Sequence, residues 1–267
     1  MRLATHVHGP YFSTVSLRPD AVPMGHVLNI DHFHMSRPTF RPHPHAGFSA
    51  VTWMLPWSPG GFTNRDSRGD RSLIRPGDLH WTLAGAGTMH EEIPEHPGTD
   101  CEGLQIFVKL PEPEELVSPQ AYHVEAAALP RITKGTTIVR VLVGELEGMT
   151  ATTPAHGDTM LAHASVRGAL TLHVPAQRDA FAMVLRGSGR VDGVESEAGT
   201  ALPLTRTTVE LVGDALEVLI GASRPMPSRP AFAGPFCMFD RARLREAAER
   251  FQAGAMGRLA PSPVEWS

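Results

Sequence analysis

The sequence predicts an all-β protein with two antiparallel β-barrel domains and a short C-terminal α-helix. Short apolar runs alternate with turn clusters along most of the 267 residues, which is typical of antiparallel sheets. The chain has 25 glycines and 24 prolines but only 6% aromatic residues, and this composition favours many short elements joined by turns. Its length fits two domains of ordinary size.

The first set of predicted strands lies between residues 51 and 110. Three apolar runs are separated by two turn clusters, with runs at residues 51–55, 73–74 and 104–110 and turns at residues 59–61 and 76–78. In the last run every second residue from Leu104 to Leu110 is apolar, whereas Gln105 and Lys109 fall on the other side. This period of two predicts a half-buried strand with one face against a core.

A proline-rich and acidic stretch at residues 111–119 interrupts the first sheet, because proline lacks the backbone donor that a sheet needs. We expect a linker here that runs to about residue 130. A second set of strands follows, at residues 137–143, 169–174, 181–185 and 215–220. The predicted domains are therefore an N-terminal barrel at 1–118, a C-terminal barrel at 119–240, and a helix and tail at 241–267 that packs on the barrels.

The C-terminal segment has the pattern of an amphipathic helix. Asp240 is a candidate N-cap, apolar residues recur with helical spacing from Leu244 to Phe251, and Gly254 can end the helix.

Charge and hydropathy exclude several classes of function. The formal net charge of -4 argues against direct binding of nucleic acid through phosphates. The sequence has no run of about 20 apolar residues and no signal-peptide core, so we expect a cytoplasmic protein without membrane association. Cys101 and Cys237 are too few for a disulfide framework and form no metal-binding motif, so we expect inert thiols.

Two pairs of residues at i, i+2 spacing could carry chemistry. His43 and His45 would share one face of a local strand, and so would His90 and Glu92, while Glu91 points away. Three imidazoles and a carboxylate would leave open positions on a six-coordinate metal. A His-x-His pair is by itself a weak signal among 14 histidines.

Two further pairs have the same spacing, His6 with His8 and His32 with His34. We expect no carboxylate partners near either pair, so both are interpreted as ordinary surface histidines.

Several motifs that follow one another along the chain strengthen the interpretation of His43, His45, His90 and Glu92 as metal ligands. They are His-Pro-His-Ala-Gly-Phe at 43–48, Asn-Arg-Asp-Ser-Arg-Gly at 64–69, Ile-Arg-Pro-Gly-Asp-Leu-His-Trp at 74–81, Ala-Gly-Ala-Gly at 84–87, Met-His-Glu-Glu-Ile-Pro at 89–94 and Gly-Pro-Phe-Cys-Met at 234–238. This series resembles the pirin family of the cupin superfamily. The resemblance implies two stacked cupin barrels, of which only the N-terminal one holds a metal.

The resemblance also implies a ligand set and a cofactor. The family ligands correspond to His43, His45, His90 and Glu92, with Fe²⁺ as the expected metal and Mn²⁺, Ni²⁺, Cu²⁺ or Zn²⁺ as alternatives that such ligands accept. Asp78, in the Pro-Gly-Asp turn, is expected to be structural. The second barrel offers the lone His173 and is expected to be a scaffold without metal.

This chain departs from the family pattern at three positions. Ser49 and His80 stand where many members have glutamate and glutamine, and Ala86 stands where arginine is common. His80 could belong to the surroundings of the metal or to the surface, and the sequence leaves these alternatives open.

The resemblance implies an oxygenase of the quercetin 2,3-dioxygenase type that acts on a small aromatic or polyphenolic substrate, with Glu92 as the base that takes the substrate's hydroxyl proton. The alternative is a redox- or iron-responsive regulator that binds a transcription factor or a metabolic enzyme. A third possibility is a cupin of unrelated activity, such as sugar isomerisation, against which the pirin-like segments argue.

Overall fold

The computed structural model describes residues 1–264 and residue 266, and it confirms the all-β prediction. Its strands pair antiparallel along the registers that build both sets of sheets. The first eleven strands are β1 (Thr5–His8), β2 (Phe12–Leu17), β3 (Val27–Met35), β4 (His43–His45), β5 (Phe48–Met54), β6 (Phe62–Asp66), β7 (Leu73–Ile74), β8 (Leu79–Leu83), β9 (Thr88–Pro94), β10 (Cys101–Lys109) and β11 (Gln120–Val124).

The remaining elements follow the predicted linker. They are β12 (Arg131–Lys134), β13 (Thr137–Val143), β14 (Glu145–Leu146), β15 (Met149–Thr150), β16 (Met160–His173), β17 (Asp179–Arg186), β18 (Ser188–Val191), β19 (Val194–Glu197), β20 (Ala201–Leu204), β21 (Thr208–Ser223), β22 (Ala231–Ala233), β23 (Phe236–Met238) and the helix α1 (Arg241–Gln252). Short 3-10 turns lie at Glu112–Glu114 and His156–Asp158. Within the described part of the chain, no helix combines the length and apolar character needed to cross a membrane.

The chain forms two compact units. The histidine-cluster unit comprises His6–Thr14, Ile30–Ala126 and Pro227–Ser267, and the aliphatic unit comprises Met1–Thr5, Val15–Asn29 and Ala127–Met226. The domain bounds inferred from the sequence, at 118/119 and 240/241, remain a prediction about which segments fold independently.

Two sheets position the histidine cluster. One has the strand order β1-β2-β3-β10-β5-β8-β11, and the other has the order β4-β9-β6-β7. The predicted linker is therefore not irregular throughout, because β11 lies inside it and pairs with β8.

Strand β10 follows the predicted alternation but is more deeply buried than predicted. Leu104, Ile106 and Val108 are inaccessible, as expected. Lys109, predicted on the open face, is also inaccessible, since its Nζ donates to the Gly47 carbonyl at 2.8 Å and to Glu115 Oε1 at 2.6 Å. A buried cation of this kind is stable only with such partners.

The aliphatic unit contains a sheet of order β12-β13-β16-β21-β17-β20, to which β18 and β19 are attached. The predicted strand at 137–143 coincides with β13, whereas the one at 169–174 covers only the end of the much longer β16. Its core is a cluster of small and branched aliphatic residues, among them Val141, Leu172, Leu211 and Val218.

Helix α1 begins and ends as predicted. The Asp240 side chain accepts a hydrogen bond from the Ala242 amide at 2.7 Å, which caps the helix. Gly254 has a φ of 72°, a left-handed conformation that glycine adopts without strain. Leu244 and Ala247 are buried, but Phe251, predicted on the same apolar face, remains 40% exposed.

Candidate metal centre

Strands β4 and β9 bring three histidines together. The two strands pair antiparallel with His43 opposite His90, and His45 follows His43 on the same face. The three imidazole rings form an equilateral triangle, with each pair of ring centroids 4.8 Å apart. One ring nitrogen from each lies within 4.8 Å of the other two, so a single ion can reach all three.

A tight turn after His45 fixes the direction of β4. Gly47 has a φ of 82°, and a Cβ on it would lie 2.1 Å from the Cys237 carbonyl oxygen. Only glycine fits there. The backbone on either side is held as well, because the Cys237 amide donates to the Ala46 carbonyl at 3.1 Å and Lys109 donates to Gly47.

Backbone carbonyls set the orientation of two of the rings. His43 Nδ1 lies 2.8 Å from the Arg41 carbonyl, so this nitrogen carries the proton and Nε2 keeps its lone pair. The His45 ring has a hydrogen bond to the Pro235 carbonyl. Hydrogen bonds of this kind are those that orient metal-binding histidines in proteins.

Several nitrogens of the cluster have no protein partner. His45 Nδ1 and both ring nitrogens of His90 are buried without a hydrogen bond to any residue that the structure describes. An unsatisfied buried polar group costs about 1–3 kcal/mol. A metal ion would be the missing partner of His45 Nδ1 and of one nitrogen of His90, so these residues fit the ion that the family resemblance implies.

All three imidazoles are held neutral. Burial lowers the pKa of His90 well below its ordinary value, and the neighbouring His43 and His45 lower it further. Burial also lowers the pKa of His45 well below its usual range and lowers that of His43. Neutral rings offer the lone pairs that metal binding requires.

Glu92 lies in the same cavity but outside the group of three mutually close ligands. The hydroxyl of Thr52 donates to both of its carboxylate oxygens, at 2.9 Å and 2.7 Å. Burial raises the pKa of Glu92 to about 7, although the Thr52 hydrogen bonds act in the opposite direction. Glu91 points away from the cluster, as predicted, and its buried carboxylate pairs with Arg65 and Ser262.

A cavity of about 180 Å³ opens onto the three imidazoles. Its walls are mostly aromatic and apolar, with a few polar side chains beside the histidines. The lining comprises Phe12, Asp31, Phe33, Met35, Phe40, His43, His45, Phe62, His90, Glu92, Gln105 and Phe107. The phenylalanines could not be predicted from the sequence, because they come from four distant strands and a loop and share no motif.

His80 is not a surface residue. Its side chain is inaccessible, and neither ring nitrogen has a hydrogen-bond partner within residues 1–264 and 266. Nε2 lies 3.9 Å from Asp70 Oδ2, and burial lowers the pKa of the ring to about 4. Asp78 is structural, as expected: it accepts from the Arg75 amide at 3.0 Å and from the Ala126 amide at 2.7 Å.

The expectation for His32 and His34 was wrong. Both have carboxylate partners, since His32 Nε2 lies 2.9 Å from Glu102 and His34 Nδ1 lies 2.8 Å from Asp100. These acids lie nearly 70 residues further along the chain, so local spacing cannot reveal them. His6 and His8 lie on the exposed strand β1, as expected.

Within the described residues, the aliphatic unit has no cluster of histidine, cysteine and acidic side chains that could hold a metal. His173 is largely exposed and lies 3.0 Å from Glu147. His163, which belongs to no motif in the sequence, is buried 3.0 Å from Glu217. Both cysteines are buried, and burial raises the pKa of each thiol to about 12, so they are unreactive.

Sequence comparison identifies pirin proteins as relatives of this chain. The family model for pirin matches residues 8–108. A pirin-like protein of Caulobacter vibrioides is 32% identical over 223 residues, which cover 80% of this chain and 79% of that protein. A pirin-like protein of Solanum lycopersicum is 29% identical, with coverage of 90% and 84%.

Solved structures agree with the fold. A crystal structure of quercetin 2,3-dioxygenase from Acinetobacter baumannii matches with a TM-score of 0.84 and 25% identity, covering 97% of this chain and 96% of that one. The Escherichia coli pirin YhhW, solved in complex with nickel(II), matches with a TM-score of 0.65 and 16% identity, covering 84% and 96%, and supports the fold alone. From the sequence motifs, the family match and these relatives, we conclude that the chain belongs to the pirin family.

Proposed function

We propose that this protein is a mononuclear iron dioxygenase that opens a polyphenolic ring of the flavonol type. The observation that carries the proposal is the triangle of neutral imidazoles facing an aromatic cavity. A buried ligand set that meets an apolar pocket is the arrangement expected of a catalytic site for a small apolar substrate.

The metal would be held by His43, His45, His90 and Glu92. Three of these residues already converge, and Glu92, which Thr52 holds in the same cavity, would complete the set. Such a 3-His-1-carboxylate set leaves up to two positions open on a six-coordinate ion. When bound, the metal would supply Lewis-acid activation that lowers the pKa of a substrate hydroxyl.

The residues do not fix which metal binds. Imidazole and carboxylate ligands also accept Mn²⁺, Ni²⁺, Cu²⁺ and Zn²⁺, and affinity alone favours copper, so availability in the cell decides. We assign iron on the family resemblance and on the oxygenase chemistry of the relatives.

The cavity supports an aromatic substrate. Phe33, Phe62 and Phe107 line it, and an apolar cavity of about 150 Å³ is known to hold one benzene ring. One ring of a polyphenol therefore fits against the imidazoles, and the rest of the molecule extends past the half-exposed Phe40. The dioxygenase from Acinetobacter baumannii is named for quercetin, a substrate of this shape class.

Glu92 would take the proton of the substrate hydroxyl. A base is effective when its pKa lies near the working pH, and when Glu92 is released from the ion, burial raises the pKa of its carboxyl to about 7. The Thr52 hydroxyl has one proton to donate and lies 2.9 and 2.7 Å from the two carboxylate oxygens and 3.0 Å from Gln105 Oε1, so it holds the carboxylate in the cavity.

The alternative function, a regulator that acts through a protein partner, has weaker support. It needs no substrate cavity at the metal, whereas an apolar-lined cavity lies there. We therefore place the enzyme first and treat partner binding as the interpretation to adopt if catalysis fails.

The test is O₂ uptake by anaerobically iron-loaded protein after addition of quercetin. We expect uptake that depends on iron and that falls at least about 100-fold in His90→Ala, because changes merely adjacent to a metal site already cost 10–100-fold. His173→Ala, an exposed histidine of the aliphatic unit, is the matched control and should keep full activity. No uptake with any catechol or flavonol at full iron occupancy would reject the proposal.

A further inference from the structure

A second pair of strands repeats the ligand spacing of the candidate metal centre. His32 and His34 lie at i, i+2 on β3, and Asp100 and Glu102 have the same spacing at the start of β10. β3 and β10 are neighbours in the seven-stranded sheet. Four potential ligands therefore come from two adjacent strands, as they do for His43, His45, His90 and Glu92.

Alternation along the strands directs these four side chains away from the core. Phe33, between the two histidines, and Cys101, between the two acids, are buried together in one apolar cluster. Residues on either side of them must face the opposite side of the sheet. Because Phe33 also lines the aromatic cavity, the second cluster and that cavity lie on opposite faces of β3.

Three of the four side chains are close enough to share an ion, and Asp100 is paired with one of them, His34. His32 Nε2 lies 2.9 Å from Glu102 Oε1, and His34 Nδ1 lies 2.8 Å from Asp100 Oδ2. One atom each of His32, His34 and Glu102 lies within 4.8 Å of the other two. Ligand atoms on a tetrahedral zinc ion with bonds of about 2.0 Å are about 3.3 Å apart, so small side-chain movements would bring these three atoms onto one ion, and Asp100 would join them by turning from His34.

We propose that His32, His34, Asp100 and Glu102 form a second metal site, which binds a divalent transition ion of the Zn²⁺ class. Two imidazoles and two carboxylates match the ligand preferences of Zn²⁺ and Co²⁺, and they bring two negative charges to balance the ion. The site does not depend on the proposed dioxygenase activity, because it uses other residues on another face of the sheet.

Two side chains of the second site are nearly buried and two are open to solvent. The side chains of His32 and Glu102 are only 11% and 15% exposed, whereas those of His34 and Asp100 are 46% and 44% exposed. The backbone of Glu102 is held in place, since its amide donates a hydrogen bond to Ser58 Oγ at 2.9 Å. The outer pair is open to solvent, so an ion can enter without unfolding of the sheet.

The test is calorimetric titration of metal-free protein with Zn²⁺. The background is the double variant His43→Ala/His90→Ala, which removes two of the three converging imidazoles and so disables the first centre. We expect this background to bind one Zn²⁺ per chain, and we expect a further His34→Ala or Glu102→Gln change to weaken binding at least about tenfold. A matched control adds His6→Ala/His8→Ala, an exposed pair of the same spacing on β1, and should leave the Zn²⁺ site intact.

Co²⁺ titrations give a second readout, because tetrahedral coordination produces intense visible absorption that His34→Ala should abolish. Thermal unfolding of each variant checks that the sheet is intact. If the background variant binds no Zn²⁺, or if binding survives both His34→Ala and Glu102→Gln, then the four side chains form two hydrogen-bonded pairs only and the proposal is wrong.

Discussion

The two units use similar antiparallel sheets but fill them differently. The aliphatic unit packs small and branched side chains such as Val141, Leu172 and Leu211 into one continuous cluster. The histidine-cluster unit instead places three imidazoles and a cavity of about 180 Å³ inside its sheets. The sheet therefore supplies positions, and the residues at a few of those positions decide between a packed core and a binding site.

The two units also differ in the partners of their buried histidines. In the aliphatic unit the buried His163 lies 3.0 Å from Glu217, so the ring meets a carboxylate of its own unit. In the histidine-cluster unit, the nitrogens of His90 meet no partner among the residues described. Because buried polar groups are ordinarily satisfied, unpaired imidazoles point to a ligand that the protein itself does not provide.

The largest expected effect comes from removing one of the converging imidazoles. His43→Ala should weaken iron binding at least about 100-fold, since changes next to a metal site already cost 10–100-fold. The fold should persist, because its apolar core does not include this ring. Metal analysis after dialysis measures the occupancy, and thermal unfolding measures the fold. Unfolding of the variant at room temperature would show that the cluster is structural.

Truncation of a core side chain in the aliphatic unit should lower the stability of the fold but leave iron binding unchanged. Leu172 is fully buried, and Leu172→Ala should cost about 2–5 kcal/mol of unfolding free energy because it leaves a cavity. Iron content per folded chain should not change. Denaturant unfolding measures the loss of stability, and metal analysis of the same samples measures the iron content. Val194→Ala, at a half-exposed position, is the matched control. Loss of iron with folding intact would contradict the separation of roles.

Removal of the hydroxyl beside Glu92 should have a smaller effect on metal binding. Thr52→Val keeps the shape of the side chain but removes both hydrogen bonds to the carboxylate. We expect iron affinity to fall by about 10–100-fold, as for other groups that orient a metal ligand. Thr52→Ser, which keeps the hydroxyl, should restore most of the affinity in the same titration. Equal losses in both variants would argue for packing rather than orientation.

The smallest predicted effect concerns pH. Burial lowers the pKa of His80 from 6.5 to about 4, so the unfolded chain binds a proton there more readily than the folded chain does. The stability contribution is therefore present above pH 6.5 and is lost as the pH falls towards 4. At pH 5 the loss should be about 2 kcal/mol relative to pH 7.

His80→Gln removes the titrating group and keeps a polar side chain of similar size. Urea unfolding of this variant at pH 7 and pH 5 should therefore show less acid destabilisation than the unchanged chain. An identical loss in both proteins would mean that other groups govern the acid sensitivity.

Much of the fold follows from the sequence, because alternation and turn residues are local signals. Strand β13 and the capped helix α1 have the predicted bounds or caps. The buried Lys109 was mispredicted, since its partner Glu115 lies in the segment interpreted as a linker. Alternation tells which side of a strand a residue takes, but not what covers that side.

The candidate site was partly predictable for the same reason. The i, i+2 pairs and the family motifs point to His43, His45, His90 and Glu92, and the register of β4 and β9 brings the three histidines together. Thr52 and the phenylalanines of the cavity were missed, because they approach the site from other strands. The carboxylates beside His32 and His34 were missed because they lie on β10 or just before it, nearly 70 residues away.

The most direct test of the central claim is a crystal structure of the iron-loaded protein with anomalous diffraction measured at the iron absorption edge. We predict that the strongest anomalous peak lies among the three imidazoles, within bonding distance of His43 Nε2, His45 Nδ1 and His90. A fully iron-loaded protein whose strongest peak lies elsewhere, or whose three imidazoles contact no metal, would contradict the assignment of this cluster as the metal centre.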